Sequence, residues 1–323
     1  MPRSERRECP RRSTCGTDCG MSGSSSRQSL NPALRSTSSR RSSWRTDMDL
    51  NGKTAVITGA AGGIGLGIAR ACLKKGMQIV IADLDAGRVA ETAAQLRDTG
   101  GDVTHIGCDV RSIEQVQQLR AEAVAAYGGV DLVCNNAGVG LSRPIAETTA
   151  ADWELLIDVN IRGVVNGIQT FLPLMIEQRS GHINATSSMS GLVGDPGLVV
   201  YNATKFAVTG MMEALAQELA VEHPNLSASV LCPGPVATDL MSTSEKQLAD
   251  AGSGATSNEA IAAYLAAGLS PDDVGQICID GIRNGRFWLL THPELTWEIM
   301  DPRYAAMKNG QLYSHSEAWT DQR

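Results

Sequence analysis

Residues 54–83 read TAVITGAAGGIGLGIARACLKKGMQIVIAD and contain the pattern from which the architecture of the chain can be worked out. The stretch opens with the apolar run 54–58 and closes with the apolar run 78–83. Both runs are continuously apolar rather than alternating, as in strands that are buried on both faces of a sheet. The residues between them have helical periodicity. The stretch therefore predicts two parallel strands joined by a right-handed helical crossover.

The same alternation continues along the rest of the chain. Further apolar runs predict strands at 103–109, 130–135, 182–185, 227–232 and 287–290. Helical patterns lie at 64–75, 86–98, 112–127, 152–178 and 201–222, and a last helix is predicted to begin at Ser270-Pro271. We predict an α/β fold with a doubly wound, mostly parallel seven-stranded sheet, in a single domain over residues 48–323. Pro173 is expected to kink the longest helix.

The composition limits the classes of function. The chain has 323 residues, of which 42% are hydrophobic and 20% charged, and its formal net charge is −7. This suits one large α/β domain with a sizeable core. No apolar run approaches the ~18–20 residues of a membrane span, and the net charge argues against a general nucleic-acid binder. The cysteines lack zinc-ligand spacing, so we expect no metal. The five cysteines beyond residue 47 lie in apolar patterns, which favours a reducing, cytoplasmic setting. We also expect no nucleic-acid or membrane partner.

Residues 1–47 have a different composition. They hold ten Arg and no Lys against four acidic residues, a net charge of +6, so the remainder carries −13. The segment is rich in Ser and has almost no apolar periodicity, so we expect it to be disordered. Three interpretations stay open: a start assigned too far upstream, since Met48 precedes the first structured pattern; a genuine tail; or a targeting segment or nucleic-acid arm.

The first predicted strand runs into a glycine-rich loop, TGAAGGIG, directly before a helix. Gly59, Gly63 and Gly65 allow the backbone to approach a pyrophosphate, and the helix N-terminus at Ile64 supplies amide donors and a positive dipole. Asp83 ends the second strand, where a carboxylate accepts hydrogen bonds from ribose hydroxyls and repels a 2′-phosphate. The combination predicts a dinucleotide site that prefers NAD over NADP.

Seven motifs in the correct order resemble those of the short-chain dehydrogenase/reductase family. They are TGAAGGIG (58–65), CDV (108–110), NNAG (135–138), Asn160 within DVNIRG, Ser188 within ATSSMSG, YNATK (201–205) and PGPVAT (233–238). The resemblance spans nearly all of residues 50–290. It implies a single Rossmann-type domain that binds a nicotinamide cofactor and assembles as a homodimer or homotetramer.

Tyr201 and Lys205 carry the chemistry that this resemblance implies. They are i and i+4 on a predicted helix, so they share one face. A free tyrosine has a pKa of about 10. We expect Lys205 and a positive nicotinamide to lower this pKa, so that Tyr201 exchanges a proton with an alcohol or ketone.

Two more residues of the reacting group follow from the resemblance. Ser188 is expected to orient the substrate oxygen, whereas Ser187 is expected to be structural. Asn160 is expected to hold a water that relays protons from Lys205. The alternative for Asn160, a buried amide at a helix bend, stays open, and both roles are compatible.

The resemblance also implies contacts along the cofactor. It places Asp109 and Val110 at the adenine ring. It places Asn136, Ala137 and Gly138 at the adjacent ribose. It also places a third group of residues at the nicotinamide, alongside Tyr201 and Lys205. This group consists of Pro233, Gly234, Val236 and Thr238.

Residues 239–269 are predicted to form a lid over the site. Apolar residues in this segment, together with Leu192, Val193 and Pro196, favour a mainly apolar substrate; the alternative that they only pack the lid stays open. We expect an NAD-dependent oxidoreductase that interconverts a secondary alcohol and a ketone. Two alternatives stay open: an NADP-linked 3-oxoacyl thioester reductase, and a dinucleotide sensor without catalytic activity.

Overall fold

The computed structural model describes residues 48–254 and 259–313, so the interpretations of residues 1–47 lie outside the described residues. Its strands form one parallel sheet in the order β3-β2-β1-β4-β5-β6-β7. They are β1 (Thr54–Thr58), β2 (Gln78–Asp83), β3 (Val103–Gly107), β4 (Leu132–Asn135), β5 (Gly181–Thr186), β6 (Leu226–Cys232) and β7 (Trp288–Leu290). The order reverses between β1 and β4, and doubly wound sheets bind their ligands beside such a reversal.

Ten α-helices are formed by the described residues. They are α1 (Gly63–Lys74), α2 (Ala86–Asp98), α3 (Ile113–Tyr127), α4 (Ala150–Ile157), α5 (Gly163–Gln178), α6 (Val199–Glu222), α7 (Leu240–Asp250), α8 (Glu259–Ala266), α9 (Pro271–Arg283) and α10 (Pro293–Lys308). Successive strand residues face opposite sides of the sheet. Val56 packs in a core cluster shared with α3, α5 and α6, and Ile57 in another shared with α1, α2 and α9. The predicted doubly wound α/β sheet is confirmed.

Local signals in the sequence account for several element ends. β1 and β2 have the predicted bounds. α9 begins at Pro271, and Ser270 Oγ accepts a hydrogen bond from the Asp273 amide at 3.1 Å, as the predicted N-cap requires. None of the helices in the described ranges combines the length and apolar composition that a membrane crossing needs.

The long helix predicted over 152–178 is divided in two. α4 ends at Ile157, a π-helical turn covers Asp158–Arg162, and α5 follows directly. α5 continues as one helix through Pro173, which has no N–H to donate to the preceding turn, and the kink at Pro173 stays a prediction. Single π-turns inside helices are rare and occur frequently at functional sites.

α1 and α9 cross at a contact between two glycines. A Cβ on Gly67 would collide with the Pro271 carbonyl, and a Cβ on Gly275 would collide with the Gly67 carbonyl and lie 2.6 Å from the Ile68 amide nitrogen. Both helices pack in the core cluster beneath β1. The start of α1, and with it the glycine loop, is therefore held by a helix from the C-terminal part of the chain.

Gly275→Ala is expected to destabilise the protein by at least about 1–3 kcal/mol, because the added methyl group forces two helix backbones apart. Gly210→Ala is the matched control, since Gly210 is exposed within α6 and a Cβ there meets no atom within 4 Å. The control is expected to gain about 0.5–1 kcal/mol from helix propensity. Urea unfolding measures both changes, and equal free energies of unfolding for the two variants would contradict the glycine contact.

Candidate active site

The glycine loop between β1 and α1 has the geometry of a phosphate site. Gly59 and Gly63 have φ values of +64° and +52°, which side chains rarely adopt. A Cβ on Gly65 would collide with the Gly59 carbonyl and lie 2.7 Å from Asn136 Nδ2. The first turn of α1 contains no acidic residue, and its N-cap residue, Gly62, has no side chain that could cap the amides of this turn. The amides and dipole of this turn fit a phosphate, so these residues fit the predicted pyrophosphate.

Asp83 ends β2 beside this loop. Its Oδ2 accepts a hydrogen bond from the Ala61 amide at 3.0 Å, and its Oδ1 accepts one from the Asp85 amide at 3.3 Å. An ionised carboxylate accepts about four hydrogen bonds in all. Asp83 therefore fixes the loop and retains acceptor capacity for a further donor.

Arg88 brings a positive charge to the same loop. A Cβ on Gly62 would lie 2.7 Å from Arg88 Nη2, so the guanidinium stands directly beside the loop backbone. Arg88 Nη2 also lies 3.8 Å from Asp239 Oδ2, at the start of the predicted lid. Both side chains are largely exposed, so this pair contributes little stability.

The side chains of Thr58, Asn136 and Thr186, which we call the strand clamp, join the carboxyl ends of β1, β4 and β5. Thr58 Oγ1 accepts hydrogen bonds from the amides of Asn136 and Ala137 at 3.0 and 3.1 Å. Asn136 Nδ2 donates to the carbonyls of Thr58 and Gly59 at 3.0 and 3.3 Å, and Asn136 Oδ1 accepts from Thr186 Oγ1 at 3.0 Å. The Asn136 side chain is thus bonded within the chain, and the ribose contact of residues 136–138 stays a prediction.

Asp109 and Val110, predicted at the adenine, follow β3. Burial alone would raise the pKa of Asp109, but its hydrogen bonds with Arg111 and the charge of Arg111 outweigh burial and lower the pKa. The contact is bidentate, with Nε–Oδ1 and Nη2–Oδ2 distances of 2.9 and 2.6 Å. Val110 is buried, and its carbonyl accepts a hydrogen bond from Asn166 Nδ2 at 2.8 Å. α5 thus supports this corner of the site.

α6 brings Tyr201 and Lys205 to the carboxyl end of β5. Lys205 is buried, its Nζ donates to the Thr186 carbonyl at 2.9 Å, and Nζ lies 5.5 Å from the Tyr201 ring centroid. Burial lowers the pKa of Lys205 to about 8, so at neutral pH this side chain is mostly a cation. Burial raises the pKa of Tyr201 to about 12, and a hydrogen bond with Ser188 opposes the rise. The net pKa of Tyr201 is therefore not lowered, because desolvation outweighs the hydrogen bond with Ser188.

The two serines after β5 have different surroundings. Ser187 is buried, its Oγ donates to the Lys205 carbonyl at 2.9 Å, and it lies 2.8 Å from Thr209 Oγ1. Ser188 begins the 3₁₀ turn Met189–Gly191 and accepts a hydrogen bond from the Ser190 amide at 3.1 Å. Ser187 thus anchors α6 to β5, whereas Ser188 contacts Tyr201.

Asn160 is buried in the π-helical turn before α5. Its Oδ1 accepts from the Val139 amide at 2.8 Å, and its Nδ2 donates to the Val139 carbonyl at 2.9 Å and to Thr204 Oγ1 at 3.0 Å. A Cβ on Gly138 would lie 3.2 Å from Asn160 Oδ1 and 3.4 Å from Lys205 Nζ. The side chain thus matches the interpretation of a buried amide at a helix bend, and the water relay stays a prediction.

The loop 233–238 after β6 approaches the glycine loop. Thr238 Cγ2 would lie 3.4 Å from a Cβ on Gly63, so the two loops face each other. Val236 is buried, and the Gly234 amide donates to Thr291 Oγ1 at 3.0 Å. Gly234 is therefore held by the residue that follows β7, and the nicotinamide contacts of this loop stay a prediction.

Residues 239–269 contain α7 and α8, and two serines attach α7 to the rest of the site. Ser244 Oγ accepts a hydrogen bond from the Gly140 amide at 2.8 Å. Just beyond α7, Ser253 Oγ donates to Asp152 Oδ1 at 2.5 Å. Asp152 is fully buried and also binds Arg143 Nη1 at 3.0 Å. Sequence reasoning missed this pair, because Asp152 and Ser253 are far apart in the chain. Closure of the segment as a lid stays a prediction.

Two apolar residues expected at the substrate pocket are part of the interior. Leu192 is 8% exposed and packs in the core cluster with α6, and Val193 is 4% exposed. Pro196 is exposed. No three His, Cys, Asp or Glu side chains within residues 48–254 and 259–313 are grouped as a metal ion would require.

Several known proteins are similar to this chain in sequence. The sequence profile of the short chain dehydrogenase family matches residues 53–249. An uncharacterised oxidoreductase of Listeria monocytogenes is 35% identical over 231 residues, which cover 71% of this chain and 90% of the relative.

Solved structures extend the comparison to the fold. A short-chain dehydrogenase/reductase from Burkholderia phymatum in complex with NAD is 32% identical, with a TM-score of 0.79, and the match covers 83% of this chain and 98% of that one. A metagenomic short-chain oxidoreductase in complex with NADP is 26% identical, with a TM-score of 0.59. The match covers 73% of this chain and 93% of that one. Both cofactors therefore occur among similar structures.

Asp152→Asn is expected to destabilise the protein by about 3 kcal/mol near neutral pH, since it leaves the Arg143 cation without its buried partner. Burial alone would raise the pKa of Asp152, but hydrogen bonds from Ser253 and Thr149 and the charge of Arg143 lower it. The stabilisation is therefore present above the unfolded pKa of about 3.9 and is lost as the pH falls through the folded value. Urea unfolding from pH 7 to pH 3 measures the difference between wild type and variant.

The control for this prediction is Asp158→Asn. Asp158 forms an exposed i,i+4 pair with Arg162 at 2.9 Å, whose loss is expected to cost less than about 0.5 kcal/mol. A cost for Asp152→Asn as small as that of the control, or one that does not shrink at low pH, would contradict the assigned role of Asp152.

Proposed function

The chain belongs to the short-chain dehydrogenase/reductase family, and on that premise we propose that it is an NAD-dependent oxidoreductase that interconverts a secondary alcohol and a ketone. The observation that carries the proposal is the grouping of Tyr201, Lys205 and Ser188 at the carboxyl end of β5. The strand clamp holds this group next to the glycine loop. A proton-transfer group and a dinucleotide site are thereby placed side by side.

Each reacting side chain has a role that its surroundings support. When bound, a nicotinamide dinucleotide supplies or accepts the hydride. Tyr201 exchanges the hydroxyl proton: its pKa of about 12 keeps it protonated and ready to donate to a ketone oxygen. Ser188 donates a hydrogen bond that orients that oxygen. Lys205 places a cation near the ring, which stabilises the phenolate formed after proton donation.

NAD is the proposed cofactor because of Asp83. Its carboxylate lies beside the loop, where it accepts hydrogen bonds from ribose hydroxyls and repels a 2′-phosphate. The Burkholderia phymatum protein, which was solved with NAD, is consistent with this choice. Arg88 is the observation that favours the alternative, an NADP-linked 3-oxoacyl thioester reductase, because a guanidinium beside the loop would attract a phosphate. A sensor without catalytic activity would not need the complete reacting group.

We also propose a cytoplasmic homodimer or homotetramer acting on a small-molecule alcohol or ketone, without a nucleic-acid or membrane partner. Free, buried thiols support a reducing compartment; among the described residues they are Cys72, Cys108, Cys134, Cys232 and Cys278. Exposed apolar side chains support self-association, among them Val221 of α6 and Trp297 of α10, which are 82% and 50% exposed.

Tyr201→Phe is expected to lower NAD-linked turnover of secondary alcohols by about 10²–10⁴-fold, because it removes the proton-transfer group. The measurement follows the ultraviolet absorbance of reduced nicotinamide with a panel of secondary alcohols. Tyr127→Phe is the matched control, since the Tyr127 hydroxyl bonds Asp102 and Thr104 at the far edge of the sheet. Wild-type protein that binds NAD but turns over no alcohol would favour the sensor instead.

Asp83→Asn is expected to reduce the preference for NAD over NADP by at least about tenfold, since carboxylate–phosphate repulsion is on the order of 1–4 kcal/mol at 4 Å. Asparagine keeps an oxygen that can accept from the Ala61 amide, so the loop is retained. Asp85→Asn, which removes a nearby charge at the N-cap of α2, is the control. A wild type that prefers NADP, and loses this preference in Arg88→Ala, would overturn the choice of NAD and support the reductase alternative.

A further inference from the structure

The loop 233–238 is bound to the rest of the chain at two points. At its start, the Gly234 amide donates to Thr291 Oγ1 at 3.0 Å, and Thr291 directly follows β7. Further along, the Ala237 amide donates to the carbonyl of Leu269, the last residue of the predicted lid, at 2.9 Å. The backbone of the loop is therefore set by contacts with segments that are distant in the sequence.

The imidazole of His292 lies against the start of this loop. A Cβ on Gly234 would lie 2.6 Å from His292 Nδ1, 3.0 Å from His292 Cγ and 2.9 Å from Met189 Sδ. The φ of Gly234 lies outside the left-handed region, so the backbone conformation does not require a glycine. Glycine is needed here for space, because any side chain would displace the imidazole or the thioether. The His292 ring and the residue after Ser188 thus both lie next to the Gly234 backbone.

A chain of hydrogen bonds connects the imidazole to the loop backbone. Thr291 is buried, and its Oγ1 lies 2.8 Å from His292 Nδ1. The Thr291 hydroxyl already accepts the Gly234 amide, so its single proton is available for Nδ1 when the imidazole is neutral. Burial lowers the pKa of His292, which favours the neutral form. Neutral His292 therefore acts as an acceptor that orients the Thr291 hydroxyl, with its own proton on Nε2.

His292 is anchored by the helix that it begins. It is the N-cap residue of α10, and its carbonyl accepts hydrogen bonds from the Thr296 amide at 2.9 Å and from Thr296 Oγ1 at 2.7 Å. Thr296 is buried, and Met300, one turn further along α10, packs in the core cluster that contains residues of α6. The imidazole is thus held against the loop by a helix that is itself fixed to the core.

The contact lies on one side of the strand-order reversal. The glycine loop, Asp83 and Asp109 lie at the carboxyl ends of β1, β2 and β3, whereas the loop 233–238 and Thr291 follow β6 and β7. In the proposed cofactor site the first group contacts the adenosine half of the dinucleotide and the second contacts the nicotinamide half. A change at His292 is therefore expected to act on the nicotinamide half alone.

We propose that His292 is a positioning residue for the nicotinamide half of the cofactor site. Its Nδ1 fixes the Thr291 hydroxyl, this hydroxyl holds the Gly234 amide, and the amide sets the backbone of the loop that the nicotinamide contacts. This inference rests on the proposed function, because it takes the loop 233–238 as the nicotinamide contact. In this assignment His292 touches neither cofactor nor substrate and acts only through Thr291 and Gly234.

The test compares NAD with ADP-ribose, which lacks the nicotinamide. His292→Leu removes the acceptor and keeps a side chain of considerable size. The variant is expected to raise the Kd of NAD by about tenfold, as the loss of one buried hydrogen-bond partner does, and to change the Kd of ADP-ribose by less than about twofold. Isothermal titration calorimetry measures both constants. With an alcohol that the wild type oxidises, kcat/KM for NAD is expected to fall by at least about tenfold.

Conservative variants separate the acceptor from the bulk of the ring. His292→Asn supplies an oxygen that can accept from Thr291, and it is expected to keep the Kd of NAD within about threefold of wild type. Thr291→Val removes the hydroxyl and is expected to match His292→Leu. The double variant is expected to bind NAD no more weakly than either single variant, because both changes break the same chain of hydrogen bonds. His223→Leu is the control, since His223 follows α6 at the opposite edge of the sheet, where β6 begins.

The outcomes separate this inference from the proposed function. Equal weakening of NAD and ADP-ribose by His292→Leu, or a His292→Asn variant as impaired as His292→Leu, would show a general structural role and overturn the inference. If the wild type oxidises alcohols and His292→Leu binds NAD and turns over as the wild type does, the inference is overturned while the proposed function stands.

The reverse result is also distinguishable. If no alcohol is turned over, but His292→Leu weakens NAD alone and His292→Asn restores it, the role of His292 is supported and the proposed function fails. Thermal unfolding verifies that each variant is folded. Thr291→Val gives the same comparison of NAD with ADP-ribose should His292→Leu fail to fold.

Discussion

The hydrogen bonds of the strand clamp connect three parallel strands at the edge where the site lies. Thr58 belongs to β1, Asn136 directly follows β4, and Thr186 belongs to β5. Parallel strands carry no tight turns between them, so their ends are positioned by side chains such as these. The clamp holds the glycine loop against residues 136–138, and the Thr186 carbonyl also accepts a hydrogen bond from Lys205 Nζ. Cofactor loop and reacting helix therefore share one set of contacts.

Electrostatics at this edge are governed by burial more than by charge pairing. Burial lowers the pKa of Lys205 to about 8, and the side chain, which donates to the Thr186 carbonyl, remains mostly cationic at neutral pH. Tyr201 loses hydration as well, and its pKa rises to about 12. The pair thus consists of a protonated acid beside a cation, a state that favours proton donation to a substrate oxygen. For Tyr201 to remove a proton from an alcohol, its pKa must fall, which requires additional positive charge near the tyrosine ring.

Features that depend on local periodicity were predictable from the sequence, and features that depend on distant contacts were not. Strands such as Thr54–Thr58 are buried on both faces, so their apolar runs mark them directly. The π-turn at Asp158–Arg162 was missed, since Asn160 is held there by Val139 and Thr204 from other elements. α10 was missed because few of its residues are buried, Thr296 and Met300 among them, which leaves little apolar pattern. At the site, motifs identified the reacting residues, but the partners of Asn136 and Asp152 needed coordinates.

The glycine contact between α1 and α9 has a consequence for how the protein is made. Domains emerge from the ribosome with their N-terminal part first. α1 is synthesised early, but its partner Gly275 and the rest of α9 leave the ribosome only after all strands except β7 have been made. Until then, the glycine face of α1 has no helix to pack against. A nascent chain thus carries a glycine loop whose helix is not yet packed, so the proposed dinucleotide site is complete only in a nearly full-length polypeptide.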